Sequence, residues 1–181
     1  MGVRFYLDFI YFIHVKIRRE NEGDEAAVQA VNESAFETSE EARLVAALRE
    51  QAQPLISLVA DDEGKIIGHI MFSPVALDGH HELKIMGLAP MAVVPERQHQ
   101  GIGAALVLEG LEACKKLGFG AVVVLGHAAY YPRFGFVPST QFDISSEYDV
   151  PEDVFMVKEL TPGYLDGAKG AIKYHAAFGS V

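Results

Sequence analysis

The chain of 181 residues has one cysteine, Cys114, and few positive charges. A single cysteine excludes an internal disulfide and is typical of a reducing compartment, so we expect a cytoplasmic location. Cys114 falls on the apolar side of a predicted helix, which predicts that it is a core residue rather than a nucleophile. The 15 Lys and Arg against 25 Asp and Glu give a net charge of −10, which argues against nucleic-acid binding through a basic face. Such a charge would suit a cationic or amine-bearing substrate, although solubility alone would also explain it.

No hydrophobic run is long enough to cross a bilayer. Residues 3–15 are apolar and aromatic, but the segment is too short and is interrupted by Arg4 and Asp8. No small-residue cleavage site follows it, which argues against a secretory signal. We therefore expect no stable membrane insertion. Residues 1–14 are expected to be an extension that docks on a surface or partner or stays poorly ordered, ahead of a single domain over residues 15–181.

The glycine-rich stretch at residues 98–103 matches neither common nucleotide-binding loop. A Walker loop needs Lys-Ser/Thr after its last glycine, and the dinucleotide fingerprint needs a third glycine where Leu106 stands. Gly101 and Gly103 nevertheless lie directly before a helical pattern. Free backbone N–H groups at a helix start, unobstructed by side chains, bind phosphate. The sequence therefore predicts a different phosphate-bearing ligand.

The order of helical and strand patterns predicts an α/β fold. Residues 121–125 form a continuous apolar run, typical of a strand that is buried on both faces. Strand, helix and strand within about 40 residues form a βαβ unit, whose strands should be parallel. The tail at 161–181 shows no clear pattern. The predicted strands cover 15–19, 56–60, 65–75, 83–94, 121–125 and about 154–160, and the predicted helices begin at Asp24, Ser39 (as N-cap) and Gly103, the last of them reaching Gly118 as its C-cap.

Two motifs occur together with this order of elements. Residues 98–103, Gln-His-Gln-Gly-Ile-Gly, follow a strand that ends Pro-Met-Ala-Val-Val-Pro, and about thirty residues later comes Tyr131-Pro-Arg-Phe-Gly-Phe136. The combination resembles the GNAT superfamily of N-acetyltransferases over roughly four-fifths of the chain, and within it a bacterial group named only as predicted acetyltransferases. The resemblance implies the GNAT acyl-CoA N-acyltransferase fold. This fold has a mixed, mostly antiparallel twisted sheet flanked by helices, with a splayed parallel pair of strands.

The resemblance implies acetyl-CoA as donor substrate and a direct transfer to a primary amine. The pantetheine arm would pair with the open strand edge, and a backbone N–H near Ala92 would polarise the thioester carbonyl. The helix dipole and free amides would hold the pyrophosphate. The implied cofactor-binding residues are Met91, Ala92 and Val93 on the strand, with Gln98, His99, Gln100, Gly101, Ile102, Gly103 and Ala104 at the helix start.

The family motif places Tyr131 as the general acid that protonates the departing thiolate. Tyr130 is one residue out of register and is expected to point elsewhere, and Tyr131 itself could instead be a core aromatic. Many relatives carry a Glu on the strand before the loop, but residues 85–89 offer no carboxylate. That departure leaves deprotonation of the amine to His127, to a water relay or to bulk solvent.

Several alternatives stay open at this level. The missing carboxylate and the apolar leader would also fit a catalytically silent acyl-CoA-binding sensor or interaction module. The acceptor could be a small-molecule amine or a protein amino group, and a homodimer is compatible with the resemblance. His69 alternates along a strand and is expected to pack or lie at the surface, while His80 and His81 occupy a turn without metal-ligand spacing. We expect no metal site.

Overall fold

The computed structural model describes residues 14–179, so most of the predicted extension at residues 1–14 lies outside it. Most of the predicted elements lie within two residues of their expected bounds, and β1 and β5 agree in full. The elements are β1 (Val15–Arg19), α1 (Glu25–Ala35), α2 (Glu40–Gln51), β2 (Ile56–Asp62), β3 (Lys65–Leu77), β4 (Ile85–Val93), α3 (Ile102–Lys116), β5 (Ala121–Leu125), β6 (Val137–Pro138), β7 (Ile144–Ser146), β8 (Phe155–Glu159) and β9 (Gly170–Lys173).

The strands form one mixed, mostly antiparallel sheet in the order β1-β2-β3-β4-β5-β8-β6, with β9 pairing with both β3 and β7. β4 and β5 are parallel, because α3 carries the chain back across the sheet between them. The predicted βαβ unit and the mixed α/β architecture are confirmed. Within residues 14–179, no helix combines the length and apolarity that a membrane crossing requires.

β4 and β5 separate halfway along β4. Their pairing runs from Ile85 opposite Ala121 to Leu88 opposite Val124 and stops there, while β4 continues to Val93. On the other side of β4, a β-bulge sets two β4 residues, Ala89 and Pro90, opposite one residue of β3. The second half of β4 therefore presents an edge toward β5 that is unpaired in the described part of the chain.

Helices cover both faces of the sheet. α3 packs closely on one face, where Gly110 leaves room for the Phe72 ring; an ideal Cβ at Gly110 would lie 2.2 Å from that ring. α1 and α2 cover the opposite face, and Asn32 of α1 contacts His69 of β3 there. We call these the α3 face and the α1 face. The main core includes residues from all three helices and from the central strands.

The ends of α2 and α3 are capped in different ways. Ser39 precedes α2 as predicted, but its side chain makes no capping bond. The hydroxyl of Thr38 accepts the Glu40 N–H instead, at 3.3 Å, so the cap shifts by one residue. At the end of α3, Gly118 adopts the left-handed φ of +83°, as its predicted role as C-cap requires.

The tail at 161–181 contains structure that the sequence pattern did not indicate. β9 pairs with the end of β3 through Leu77 opposite Ile172, and it runs parallel to β7. Ile172 and Leu165 are buried in a second core, which covers the α1 face around the end of β3 and the starts of β4 and β5. The tail therefore completes the sheet and one wall of the molecule.

Candidate active site

The loop between β4 and α3 is braced by its own side chains. Arg97 forms an ion pair with Asp62 and donates from Nε to Gln100 Oε1 at 3.1 Å. Gln98 Nε2 donates to the Val93 carbonyl at 3.0 Å. His99 and Gly101 both adopt left-handed φ angles, +60° and +84°. The Arg97 and Gln98 N–H groups bond to the carbonyls of Val94 and Pro95, at 2.9 and 3.3 Å. Within the described residues the N–H groups of residues 99–104 have no such acceptor, so they stay available for a ligand.

The start of α3 has an uncompensated positive end. The first helical bond joins the Ala105 N–H to the Gly101 carbonyl at 3.0 Å, so the amides before Ala105 have no helical acceptor. The N-cap residue is Gly101, no side chain within residues 14–179 caps the helix, and its first turn contains no acidic residue. These features suit the loop and the first turn to the binding of an anion.

The unpaired edge of β4 lies beside this helix start. Met91 and Ala92 pair with Ile70 and His69 of β3, which leaves the opposite edge of β4 free. The Met91 thioether lies 3.7 Å from the position of an ideal Cβ at Gly103. An extended chain of amides could follow this edge and end at the α3 start, so strand and helix together form one groove.

Tyr131 lies in a short 3-10 turn after β5 and is largely buried. Its ring packs edge-on against Phe136 at 5.6 Å between centroids, and an ideal Cβ at Gly126 would lie 2.3 Å from it. Among residues 14–179, nothing hydrogen-bonds to its hydroxyl. Burial, with a smaller contribution from Tyr130, raises the pKa of Tyr131 above its ordinary value. The phenol therefore stays protonated at neutral pH and can only act as a proton donor.

Tyr130 directs its hydroxyl toward the groove. Its hydroxyl lies 3.0 Å from the position of an ideal Cβ at Gly103, and the two tyrosine rings meet edge to face at 5.1 Å. The Arg133 guanidinium lies 4.5 Å from the centre of the Tyr130 ring. Sequence reasoning did not assign Tyr130 to this wall. The absence of a side chain at Gly103, which leaves room for the hydroxyl, was the available signal.

His127 and His69 occupy opposite environments. His127 is exposed just after β5, and its carbonyl accepts the Tyr130 N–H at 2.9 Å. His69 is fully buried on the α1 face, directly opposite Ala92 in the β3–β4 ladder. Its Nδ1 lies 3.1 Å from Asn32 Nδ2 and its Nε2 lies 2.9 Å from Ser57 Oγ. Burial, and then the charge of Arg49, lower the pKa of His69 to about 3, so it is a neutral core residue.

A chain of polar contacts extends from His69 to the edge of the sheet. The Ser57 hydroxyl donates to Glu20, and the Glu20 carboxylate also accepts from Arg49 of α2. Glu20, Arg49 and Ser57 line an open cavity of about 330 Å³ between α2 and the edge strands. The contacts tie β1, β2, β3, α1 and α2 together behind β4. The alternation of the sequence left His69 either packed or at the surface; the structure buries it, and its partners come from other elements.

A family model described as the acetyltransferase (GNAT) family matches residues 24–136. The uncharacterized N-acetyltransferase YhbS of Escherichia coli strain K12 is 39% identical over 163 residues, which cover 90% of this chain and 97% of YhbS. The uncharacterized N-acetyltransferase YjhQ of the same strain is 39% identical over 155 residues, covering 82% of this chain and 86% of YjhQ.

Solved structures are similar over the same region. The crystal structure of YhbS from Escherichia coli in complex with CoA matches with a TM-score of 0.87 and 37% identity, covering 92% of both chains. A GNAT family acetyltransferase from Brucella melitensis, solved in complex with acetyl-CoA, matches with a TM-score of 0.75 and 36% identity. That match covers 91% of this chain and 98% of the Brucella protein.

Proposed function

The chain belongs to the GNAT family of acetyltransferases, and we propose that it transfers the acetyl group of acetyl-CoA to a primary amine by direct attack. One observation carries the proposal. A free edge of β4 and the uncompensated start of α3 form one groove, and the buried Tyr131 packs against Tyr130, whose hydroxyl lies beside Gly103 in that groove. Two relatives that are more than one-third identical were solved with CoA or acetyl-CoA.

The donor would lie along β4 with its diphosphate at α3. The amides of residues 99–104 would hold the diphosphate next to Gln98, whose own N–H bonds to the Pro95 carbonyl, and the backbone of residues 91–93 would pair with the pantetheine arm. A backbone N–H near Ala92 polarises the thioester carbonyl. Tyr130 adds a hydroxyl to the groove wall beside Gly103, where it can bond to the arm or to the diphosphate.

The chemistry needs one proton donor and one proton acceptor. The amine nitrogen attacks the thioester carbon, and the tetrahedral intermediate then breaks its C–S bond. The departing thiolate takes the proton of the Tyr131 hydroxyl, which burial keeps in place at neutral pH. The attacking nitrogen loses its own proton to His127, which is exposed at the end of β5, or to water.

A catalytically silent binding module is not favoured, because both curated relatives at 39% identity are named as N-acetyltransferases. The absence of a carboxylate on β4 then assigns deprotonation to a weaker base rather than abolishing transfer. A cytoplasmic location, suggested by the single cysteine, belongs to the same proposal.

The proposal is tested by measuring acetyl-CoA consumption across a library of amines with the native protein and with Tyr131→Phe. We expect saturable release of CoA, and a loss of about 10²-fold or more in kcat for Tyr131→Phe. CoA affinity, measured by calorimetry, should be unchanged. Tyr130→Phe is the matched control and should affect donor binding rather than kcat. An unchanged kcat would remove Tyr131 from the mechanism, and CoA binding without transfer to any amine would refute the enzymatic function.

A further inference from the structure

The acceptor amine must approach from the α1 face. The loop before α3 and Gly103 lie on the α3 face, so the donor occupies that side of the gap between β4 and β5. Ala92 and Gly87, whose β3 partners are His69 and Ser73, belong to the opposite face. An amine that attacks the thioester carbon therefore enters between α1, α2 and the C-terminal segment.

A row of aromatic rings lies at that opening. Tyr174 contacts β4 at Gly87, where an ideal Cβ would lie 3.6 Å from the Tyr174 Cε1 atom. Gly87 directly precedes Leu88, which forms the last pair between β4 and β5. The Tyr174 ring lies between those of Tyr148, at 5.4 Å, and Phe178, at 5.1 Å. The exposed fraction is 42% for Tyr148 and 44% for Leu125, which lies at the end of β5. The opening thus offers aromatic surfaces to a ligand.

A carboxylate is fixed next to these rings. Glu147 Oε1 accepts the Tyr174 N–H at 2.6 Å, which holds the carboxylate beside the aromatic row. Its other oxygen lies 3.7 Å from Lys173 Nζ, and the Glu147 side chain is 27% exposed, which leaves the carboxylate partly accessible. No Lys or Arg occurs between Arg133 and Lys158. That interval holds the acidic residues Asp143, Glu147, Asp149, Glu152 and Asp153.

The connection between α1 and α2 forms a second acidic rim. The start of α1 is tied to β1 by the Arg18–Asp24 ion pair at 2.6 Å, whereas Asn32 near its end contacts His69, which lies opposite Ala92 of β4. α1 therefore runs from the sheet edge toward β4, and the connection after it projects toward the gap. The connection carries Glu37 and the first turn of α2 carries Glu40 and Glu41, with no Lys or Arg between Arg19 and Arg43.

A buried polar group on the same face lacks a partner. The Ser73 side chain is fully buried, and its hydroxyl has no hydrogen-bond partner within the described residues. Ser73 lies opposite Gly87, the residue that Tyr174 contacts, so the hydroxyl belongs to the same region. A buried hydroxyl without a partner is costly. An N–H of a bound amine, or a water held by it, would satisfy it.

From these contacts we propose that the acceptor is an alkylamine that carries a second positive charge, recognised by Tyr148, Tyr174 and Glu147 on the α1 face. The distal ammonium lies against the aromatic faces and the carboxylate while the near amine reaches the thioester. This inference rests on the proposed acetyltransferase function. The ammonium can belong to a free diamine or to a lysine-rich peptide, since both present the same group.

Three amines of equal chain length test the charge requirement. 1,6-Diaminohexane, hexylamine and 6-aminohexanoate carry the same reacting amine but end in a positive, a neutral and a negative group. We expect kcat/KM to fall in that order, with the diamine about tenfold above hexylamine, beyond the statistical factor of about two from its second amine. Equal values for all three would overturn the inference and leave the proposed function intact, whereas no transfer to any amine would refute the function itself.

Two variants and the dependence on ionic strength test which residues recognise the second positive charge. Tyr148→Leu and Glu147→Gln should each reduce the ratio of diamine to hexylamine turnover about threefold or more, while Glu112→Gln, on the exposed side of α3, should keep the native ratio. Raising ionic strength should also reduce the native ratio. N-acetylated peptides with a Lys-Lys or a Lys-Ala pair give the same comparison for protein acceptors. Faster turnover of the doubly charged acceptor, among either the amines or the peptides, supports the proposed site. If Tyr148→Leu and Glu147→Gln both keep the native ratio of diamine to hexylamine turnover, the proposed site is overturned.

Discussion

His69 should make the stability of this protein depend on pH well above the range in which carboxylates titrate. The ring is fully buried and makes two side-chain hydrogen bonds. Asn32 Nδ2 can only donate, so Nδ1 of the ring must accept, and the Nε2–H then donates to Ser57. A second proton, on Nδ1, would face another donor in a fully buried site. Native His69 is therefore neutral, in a single tautomer.

The magnitude follows from proton linkage. An ordinary histidine in the unfolded chain titrates near pH 6.5, whereas burial lowers the pKa of native His69 to about 3. Below about pH 6.5 the unfolded state therefore binds a proton that the native state does not, and stability falls as the pH falls. The slope approaches about 1.4 kcal/mol per pH unit, so the free energy of unfolding should drop by about 2 kcal/mol between about pH 7.5 and pH 5.

Acidic groups should not obscure this range. Hydrogen bonds from Arg18 lower the pKa of Asp24 and of Asp61 below the usual value for a carboxyl. A lowered carboxyl pKa contributes stability that is present above the unfolded value, near pH 4, and is lost only as the pH falls further. An endpoint of about pH 5 therefore separates the histidine from these aspartates.

Urea unfolding measured by far-UV circular dichroism provides the assay, because the chain contains no tryptophan for fluorescence. His69→Gln retains a donor near Ser57 but does not titrate; its stability should be lower at neutral pH and nearly flat down to about pH 5. His81→Gln, at an exposed turn position, should keep the native slope. A His69→Gln protein with the same slope as the native protein would refute the reasoning.

Two further predictions concern packing around the site and the single thiol. Gly126→Ala would place a Cβ 2.3 Å from the Tyr131 ring and should lower kcat about tenfold by displacing the phenol, with CoA affinity by calorimetry unchanged; equal loss of affinity would show a wider disruption. Burial raises the pKa of Cys114 to about 12, so a thiol reagent should label no cysteine in the native protein and one equivalent in urea, and rapid native labelling would contradict the buried position.

The elements that the sequence predicted are those with strong local patterns. The apolar run of β5 and the helical spacing of α3 are local features, and the parallel pairing of β4 with β5 follows from the crossover between them. β9 is different, since it has four residues and its partners lie on β3 and β7, far away in the chain. A strand defined by such distant pairing leaves little periodicity in its own sequence.

In the candidate site, too, local motifs could be predicted from the sequence, whereas contacts between distant parts of the chain could not. The anion-binding loop is a local motif, and its glycines were visible in the sequence. The environment of His69 depends on Asn32 and Ser57, which come from a helix and a strand at other positions in the chain. The direction of Tyr130 depends on the space that Gly103 leaves across the groove. Alternation predicts that a side chain points to one face, but not what covers that face.

The distribution of charge explains how a chain of net charge −10 can bind a polyanionic donor. The first turn of α3 contains no acid, so the helix dipole at the donor site acts without an internal competitor. Eight of the 25 acidic residues occur in the α1–α2 connection, the first turn of α2 and residues 143–153, which we assign to the opposite side of the gap. A donor anion and an acceptor cation would then meet at the thioester from opposite faces, each attracted to its own side. Screening by salt should therefore weaken the binding of both substrates, whereas a uniformly acidic surface would weaken only the binding of the amine.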